Sequence, residues 1–535
     1  VPAGGFFLFF EQADSMNAKT YRRVRIAVGA MVLGFCALVF ADVAGWIPPA
    51  AARAGLWLQF VPSLSGLAQG LGWVSAGCLL VVVATLVFGR IYCAMACPLG
   101  VLMDFSAWLA DRTGKNRRLP YRKGKVWLRV MAPLACVAGW LVGSAVPAGF
   151  LDPYSLFGKI TAATLRPMAG WLHQGAASVR WVDPVAISPV AWTTAGVALG
   201  LLAMIVGLAV FRGRAWCNTG CPVGAVLGLI SKHALFRLRI DAQACVACSL
   251  CERTCPAQCI DFRTHAIDHS RCVMCLDCAT SCKRHGIRYG WFREGRPDGG
   301  KARPAEAEAA PTVSPVSNRR GFLAAGVWLP LAAMAEQRAR DRDHGRGNGQ
   351  GGGMGEACRG GLNQFNKRPV LPPGAVSLGH FQSHCTACHL CVANCPQQVL
   401  RPSITQYGLA GFLQPYQEFA DSHCSYDCSD CSRICPTGAI LPLRVDERRN
   451  LRTAEVEFFR GRCLVKTAGE DCGLCAQACP TEAIRMVRWR KRLAIPDVDP
   501  DRCVGCGACE HVCPALPHKA MIVTGLAVHR RVQPA

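Results

Sequence analysis

Residues 245–256 read Cys245-Val246-Ala247-Cys248-Ser249-Leu250-Cys251-Glu252-Arg253-Thr254-Cys255-Pro256. Three cysteines stand two residues apart, and a fourth precedes a proline. Thiols so spaced wrap a loop around one [4Fe–4S] cubane, while the fourth reaches a neighbouring one. The proline ends the local helix and turns the chain away. A second run follows at Cys272, Cys275, Cys278 and Cys282, with Lys283 in place of the proline. Exchange of the fourth ligand assigns Cys245, Cys248, Cys251 and Cys282 to one cluster, and Cys272, Cys275, Cys278 and Cys255 to the other. Zinc usually takes two separated cysteine pairs, so two complete runs in one module point to iron.

The C-terminal part repeats the theme in four groups: Cys385, Cys388, Cys391, Cys395; Cys424, Cys428, Cys431, Cys435; Cys463, Cys472, Cys475, Cys479; and Cys503, Cys506, Cys509, Cys513. The second has one extra residue in its first gap, and the third is split. With the first module this makes about six [4Fe–4S] clusters. The same rule leads us to expect the first group to exchange with the fourth and the second with the third. Cys385-Thr386-Ala387-Cys388-His389 also matches a c-type haem pattern, but a haem leaves Cys391 and Cys395 unexplained. The chain has 33 cysteines, an odd number held in tight runs, which argues against a disulfide framework. Cys36, Cys78 and Cys136 lie in apolar segments as core residues, and Cys259 and Cys358 have no companion at ligand spacing. His384, His423 and His511 flank cluster loops as neighbours rather than ligands.

Apolar residues make up 51% of the 535, and the net charge is +24. Four apolar segments, about 26–46, 54–89, 130–151 and 184–211, are each long enough for a membrane span. Arg90, Arg112, Lys115, Arg117, Arg118, Arg122, Lys123, Lys125 and Arg129 crowd the loop between the second and third, whereas Arg53 stands alone between the first and second. The basic loop therefore faces the cytoplasm, together with both ends of the four-helix unit, and the charge reads as membrane orientation rather than nucleic-acid binding. The second and fourth segments end alike. Gly89-Arg90-Ile91-Tyr92-Cys93-Ala94-Met95-Ala96-Cys97-Pro98-Leu99-Gly100 and Gly213-Arg214-Ala215-Trp216-Cys217-Asn218-Thr219-Gly220-Cys221-Pro222-Val223-Gly224 share Gly-Arg-x-aromatic-Cys-x-x-x-Cys-Pro-x-Gly. Two helical hairpins related by an axis along the membrane normal explain the repeat. If the hairpins are pseudo-symmetric, Cys93, Cys97, Cys217 and Cys221 converge, and they read either as an additional redox or metal site, for a cluster, zinc, Cu(I) or redox-active disulfides, or as structural thiols at a helix end. The prolines make continuous helix through either motif unfavourable.

The expected fold is multi-domain: a four-helix transmembrane unit plus α+β ferredoxin-like [4Fe–4S] domains. Its parts are an extension (1–20), the four-helix unit (21–235), a two-cluster module (236–292), a linker (293–316), a signal or anchor segment (317–336), a Gly/Arg-rich tether (337–366) and a four-cluster domain (367–535). Met16 is a candidate natural start. Ser317-Asn318-Arg319-Arg320-Gly321-Phe322-Leu323, before an apolar run to Ala335, resembles a twin-arginine export signal. Residues 20–290 resemble the NapH/NosR type of membrane ferredoxin. Residues 317–525, with Leu371-Pro372-Pro373-Gly374-Ala375, resemble the NapG/MauM type of four-cluster ferredoxin. The chain reads as a fusion of the two. The resemblance implies quinol oxidation in the bacterial inner membrane and electron delivery to a periplasmic reductase, a cytochrome or another redox partner, with the C-terminal domain on the periplasmic side.

No phosphate loop, dinucleotide fingerprint, flavin motif or nucleophile–base arrangement stands out. The catalytic residues of quinol oxidation are not legible. Asp152, in Leu151-Asp152-Pro153-Tyr154, is either a quinol proton acceptor or a solvated turn residue. The first functional reading is an electron conduit from quinol to a partner, a component of a quinol dehydrogenase rather than a stand-alone enzyme. The alternative is a copper reductase or metal assembly factor using the four Cys-x-x-x-Cys-Pro thiols.

Overall fold

A computed structural model describes residues 18–68, 72–113, 119–179, 191–291, 368–490 and 492–532. The linker, the twin-arginine-like segment and the tether lie outside the described residues, as do Met16, Cys358, Lys115, Arg117 and Arg118.

Seven helices of ten or more residues make up the described part of the N-terminal unit: α1 (Ala18–Ala41), α2 (Gly72–Phe88), α3 (Pro98–Arg112), α4 (Val126–Leu141), α5 (Pro153–Ser178), α6 (Trp192–Arg212) and α7 (Pro222–Ser231). Two of them, α1 and α6, are long and apolar enough to cross a membrane. At 24 and 21 residues they measure roughly 36 and 31 Å, against a hydrocarbon core of roughly 30 Å. The second and third expected segments give shorter helices. α2 has 17 residues. α4 has 16 residues and ends at Leu141, before Gly143 at φ 80° turns the chain. Among the described residues a four-helix transmembrane unit is not confirmed, since two of the four expected spans reach that length. The third segment continues instead through a short helix, Val146–Leu151, into α5, which sequence reading missed. Pro153 at its first turn and the Asp152 cap start α5: the Asp152 carboxylate accepts from Ser155 N at 2.8 Å. Asp152 is buried, not a solvated turn residue. The helices leave large apolar side chains exposed, among them Met31, Leu141, Phe211 and Trp192. Such a surface calls for a non-aqueous neighbour.

Two cysteine-rich modules cap this helical unit from opposite ends. In the first, strand β1 (Phe236–Ile240) pairs antiparallel with β4 (Ile287–Trp291), and the small β2–β3 hairpin (Ile260–Asp261, Ala266–Ile267) lies between them in sequence. The module meets the start of α1, the start of α4 and the ends of α2 and α6. Tyr21 Oη donates to Met274 O, Arg25 pairs with Asp277, Arg129 donates to Ser270 O, and Arg214 N donates to Pro256 O. The C-terminal module is built on β5–β6 (Leu400–Pro402, Pro415–Gln417), β7 with β10 (Leu451–Phe458, Met521–Arg531) and β8–β9 (Ile484–Arg490, Leu493–Val498). It meets the other ends. Phe40, near the end of α1, shares a core with Phe381 and Leu390; Ala145 N, beyond α4, donates to Gln382 O; and Thr194, at the start of α6, faces a cavity shared with His389.

The cysteine runs fold by a repeated local rule. In four of them the residues just before and just after the second cysteine are left-handed: Ala247 and Ser249, Met274 and Leu276, Ala387 and His389, Gly505 and Gly507. Two such residues curl the loop so that successive thiols point to a common centre. The groups at Cys424 and Cys472 lack this pattern, in line with their altered spacing. After the fourth cysteine, Gln258, His285, Gln398, Gly438 and Glu482 are again left-handed, one turn used five times.

Candidate functional site

In the first module Cys245, Cys248, Cys251 and Cys282 line one cavity of about 310 Å³. Cys255, Cys272, Cys275 and Cys278 line a second, smaller one. Cys259 lines it too, although sequence reading left this residue without a companion. In the C-terminal module Cys395 lines a cavity with Cys424, Cys428 and Cys431. Cys435 in return lies within electrostatic reach of Cys385, Cys388 and Cys391. Cys513 is similarly close to Cys463 and Cys475, and Cys479 to Cys503 and Cys509. The exchange therefore joins the first group to the second and the third to the fourth. This corrects the expected pairing of first with fourth and second with third. Groups adjacent in sequence fold as one two-cluster unit because the Cys-Pro turn returns the chain directly onto the next run.

The thiol-lined cavities fit iron–sulfur cubanes by donor chemistry: four sulfurs in one and five in the other, with little else polar. Among the described residues no three His, Cys, Asp or Glu side chains converge tightly enough to hold a single ion. Thiols around a cubane stand apart by the width of the cluster. His389, in the haem-like pattern, is buried and its Nε2 meets Leu413 O at 2.9 Å. Burial and the nearby Lys159 push its imidazole down to about 3, so it is neutral and donates to that carbonyl. His423 and His511 pack on each other, ring centroids 5.6 Å apart.

Cys93, Cys97, Cys217 and Cys221 are all buried and belong to one core cluster with the second cavity's cysteines. The repeated motif explains how they meet. Gly89 (φ 80°) and Gly213 (φ 58°) terminate α2 and α6. Short helices Tyr92–Met95 and Ala215–Thr219 follow, and Pro98 and Pro222 begin α3 and α7. A Cβ at Gly100 or Gly224 would overlap the Cys93 or Cys217 carbonyl, so the last motif glycine permits the fold-back. The arginines then cross between repeats. Arg90 donates to Cys217 O (3.1 Å), and Arg214 donates to Cys93 O. Both are fully buried. Arg214 pairs with Asp104 at 2.6 Å. Arg90 meets Asn218 Oδ1 (3.0 Å), Ser270 O (3.2 Å) and Cys93 Sγ (3.7 Å), and no carboxylate pairs with it among the described residues.

The other end of the unit grips the loop of Cys385–Cys391. A Cβ at Gly149 would overlap Thr386 O, and one at Gly158 would overlap Cys388 O. Lys159 Nζ donates to Gly149 O (2.7 Å) and Thr386 O (3.2 Å). The Ser155 hydroxyl donates to Asp152 at 2.7 Å and meets Thr386 Oγ1 at 3.0 Å. Arg166 donates to Val392 O at 2.6 Å. Two residues before Gly158, Leu156 packs in the core that holds the Cys-x-x-x-Cys-Pro thiols. One helix, α5, thus contacts both the loop of Cys385–Cys391 and the core of the Cys-x-x-x-Cys-Pro thiols.

A 4Fe-4S binding domain family matches residues 70–116 and 194–241, the two Cys-x-x-x-Cys-Pro repeats. 4Fe-4S dicluster domain families match residues 384–440 and 470–516, which contain the first, second and fourth C-terminal groups and all of the third but Cys463. An uncharacterized protein of Methanocaldococcus jannaschii, MJ0750, is 26% identical over 41% of this chain and 80% of its own length. The methylamine utilization ferredoxin-type protein MauM of Methylobacillus flagellatus is 38% identical over 26% of this chain and 62% of its own length. The ferredoxin-type protein NapH of Haemophilus influenzae is 28% identical over 36% of this chain and 58% of its own length. No solved structure matches. The chain carries several 4Fe-4S domains, one of them around the thiol-lined cavity of Cys395, Cys424, Cys428 and Cys431, and is similar to the NapH- and MauM-type ferredoxin proteins.

Proposed function

We propose that this chain conducts electrons across the bacterial inner membrane, from quinol to a periplasmic reductase or other redox protein. The observation that carries the reading is the seating of two cysteine-rich modules on opposite ends of one helical unit with an apolar outer surface. The four cysteines of each cavity or set hold a [4Fe–4S] cluster, two in the first module and four in the C-terminal one. The clusters supply one-electron steps. The protein residues fix their order, exclude water and set the local field. The basic end carries Arg22, Arg25, Arg122, Lys123, Lys125 and Arg129, so the first module faces the cytoplasm and the C-terminal module the periplasm.

The four Cys-x-x-x-Cys-Pro thiols form a further redox site between the modules. A fully buried guanidinium with no carboxylate partner, Arg90, needs an anion nearby, and thiolates holding a cluster supply one. Copper is the second reading, favoured by the soft Met103 Sδ 4.0 Å from Cys217 Sγ. A cavity of about 1110 Å³ suits the quinol. Ile26, Leu33, Val101 and Phe105 give it an apolar wall, Asp104 and Arg25 a polar one, and Pro256 of the first module's cluster turn lines it too.

Reduction of the purified full chain by a quinol analogue, followed by EPR, tests the conduit. Cluster signals should appear without any other reductant, and C93A/C217A should leave the first module's clusters reducible while electrons no longer reach the C-terminal ones. Copper bound in wild type and lost in C93A/C217A, with electron arrival intact, would sink the conduit role of this site. Protection of the C-terminal module from protease in spheroplasts would overturn its periplasmic side.

A further inference from the structure

The two modules contain six turns that follow the last cysteine of a run. Four residues after that cysteine stand Gly286, Val399, Ala439, Ala483 and Pro517, none with an atom that binds iron. In the sixth turn the residue is Cys259. Its side chain is 1% exposed, so it is not a surface thiol. The Cys259 Sγ lies 3.6 Å from Cys255 Sγ. Cys272 lines the same cavity. The backbone holds it there: Gln258 is left-handed at φ 52°, and Cys259 O accepts from Asp268 N at 2.9 Å. Five thiols, those of Cys255, Cys259, Cys272, Cys275 and Cys278, therefore line one cavity. A plain core cysteine behaves as a small hydrophobe among apolar side chains. Cys259 instead faces another sulfur.

A cubane has four irons and takes one thiolate on each, so a cavity with five thiols has one to spare. We propose that Cys259 is a reserve ligand of this cluster, interchangeable with Cys255. The inference rests on the reading that the cavity holds a cubane. In the exchange the Cys259 thiol releases its proton as its sulfur takes the iron. The Cys255 thiolate leaves the same iron and takes up that proton. No electron moves, and no other reactant is consumed. The reserve keeps the cluster bound when the Cys255 bond opens, at the turn that also touches the helical unit through Pro256 O.

The test uses the full chain in detergent, with iron and acid-labile sulfide counted and the reduced protein examined by EPR. C255A should keep the wild-type iron and sulfide content with an altered signal, and C255A/C259A should lose one cluster's worth of both. If C255A loses as much as the double variant, the proposal is overturned. Should C255A fail to accumulate, C255S serves instead. With Cys259 present its cluster stays all-thiolate, so C255S and C255S/C259A should differ in EPR; identical spectra would overturn the proposal equally. A separate failure is recognisable: if C278A removes no cluster signal from the wild-type protein, the cavity holds no cubane, and it is the underlying reading that falls.

Discussion

Gly158→Ala isolates the contact through which the helical unit grips the C-terminal module. A Cβ at this position would lie inside 3.0 Å of the Cys388 carbonyl oxygen and 2.8 Å from Phe40 Cζ. Neither neighbour yields easily. The first is backbone in a loop shaped by left-handed Ala387 and His389, and the second is a fully buried ring packed edge-on to Phe157 at 6.2 Å. The loop must back away, and overpacking of this kind costs about 1–3 kcal/mol. A cost of that size weakens docking roughly 5- to 150-fold. Hydrogen exchange of the amides around 382–393 in the full chain reads docking directly. Exchange there should rise by up to that factor, while the cluster content is unchanged. Gly175→Ala is the control: it lies in the same helix, its Cβ meets nothing within 4 Å, and it gains about 1 kcal/mol of helix propensity. Equal protection of the loop in the two variants would refute the argument that Gly158 exists for this approach.

Three further outcomes follow from the same geometry. Cys435→Ser and Cys385→Ser should remove the same cluster signal and Cys513→Ser a different one; matching loss in Cys385→Ser and Cys513→Ser by EPR would restore the pairing we rejected. Asp104→Asn takes the carboxylate from the buried Arg214, whose other partner is a backbone carbonyl, and should destabilise the unit by about 3 kcal/mol, read as a lowered thermal midpoint in detergent; an unchanged midpoint refutes it. His529 has both ring nitrogens shielded and without hydrogen bonds, and burial, with Arg448 nearby, pushes its imidazole from 6.5 down to about 4. The unfolded chain binds this proton first, so stability contributed by His529 is present above pH 6.5 and falls as the pH drops toward 4. Between pH 7 and 5 the loss is about 2 kcal/mol, and it should vanish in His529→Phe when denaturant midpoints are compared at the two values.

The cysteine intervals by themselves marked the sites. Thiols two residues apart can close on a cubane whatever surrounds them, so the runs at Cys245, Cys272, Cys385 and Cys503 were legible, and their loops share one backbone solution. The Gly-Arg-x-aromatic-Cys-x-x-x-Cys-Pro-x-Gly repeat was legible as a repeat, but the roles within it were not. That Arg90 reaches the Cys217 carbonyl and Arg214 that of Cys93 depends on two segments far apart in sequence arriving face to face. The same holds for the partner of each fourth cysteine, since spacing states that a ligand is exchanged and only the path of the chain states with which run. Asp152 read as either a quinol proton acceptor or a solvated turn residue, since Asp-Pro suits a turn, and tertiary packing buried it as a helix cap. Cys259 read as a stray because no ligand interval contains it, while the left-handed turn at Gln258 carries its sulfur to 3.6 Å from Cys255. Local covalent geometry thus wrote the cluster loops into the sequence. Which loops face each other, and which end of the helical unit each module covers, was decided by contacts between residues hundreds of positions apart.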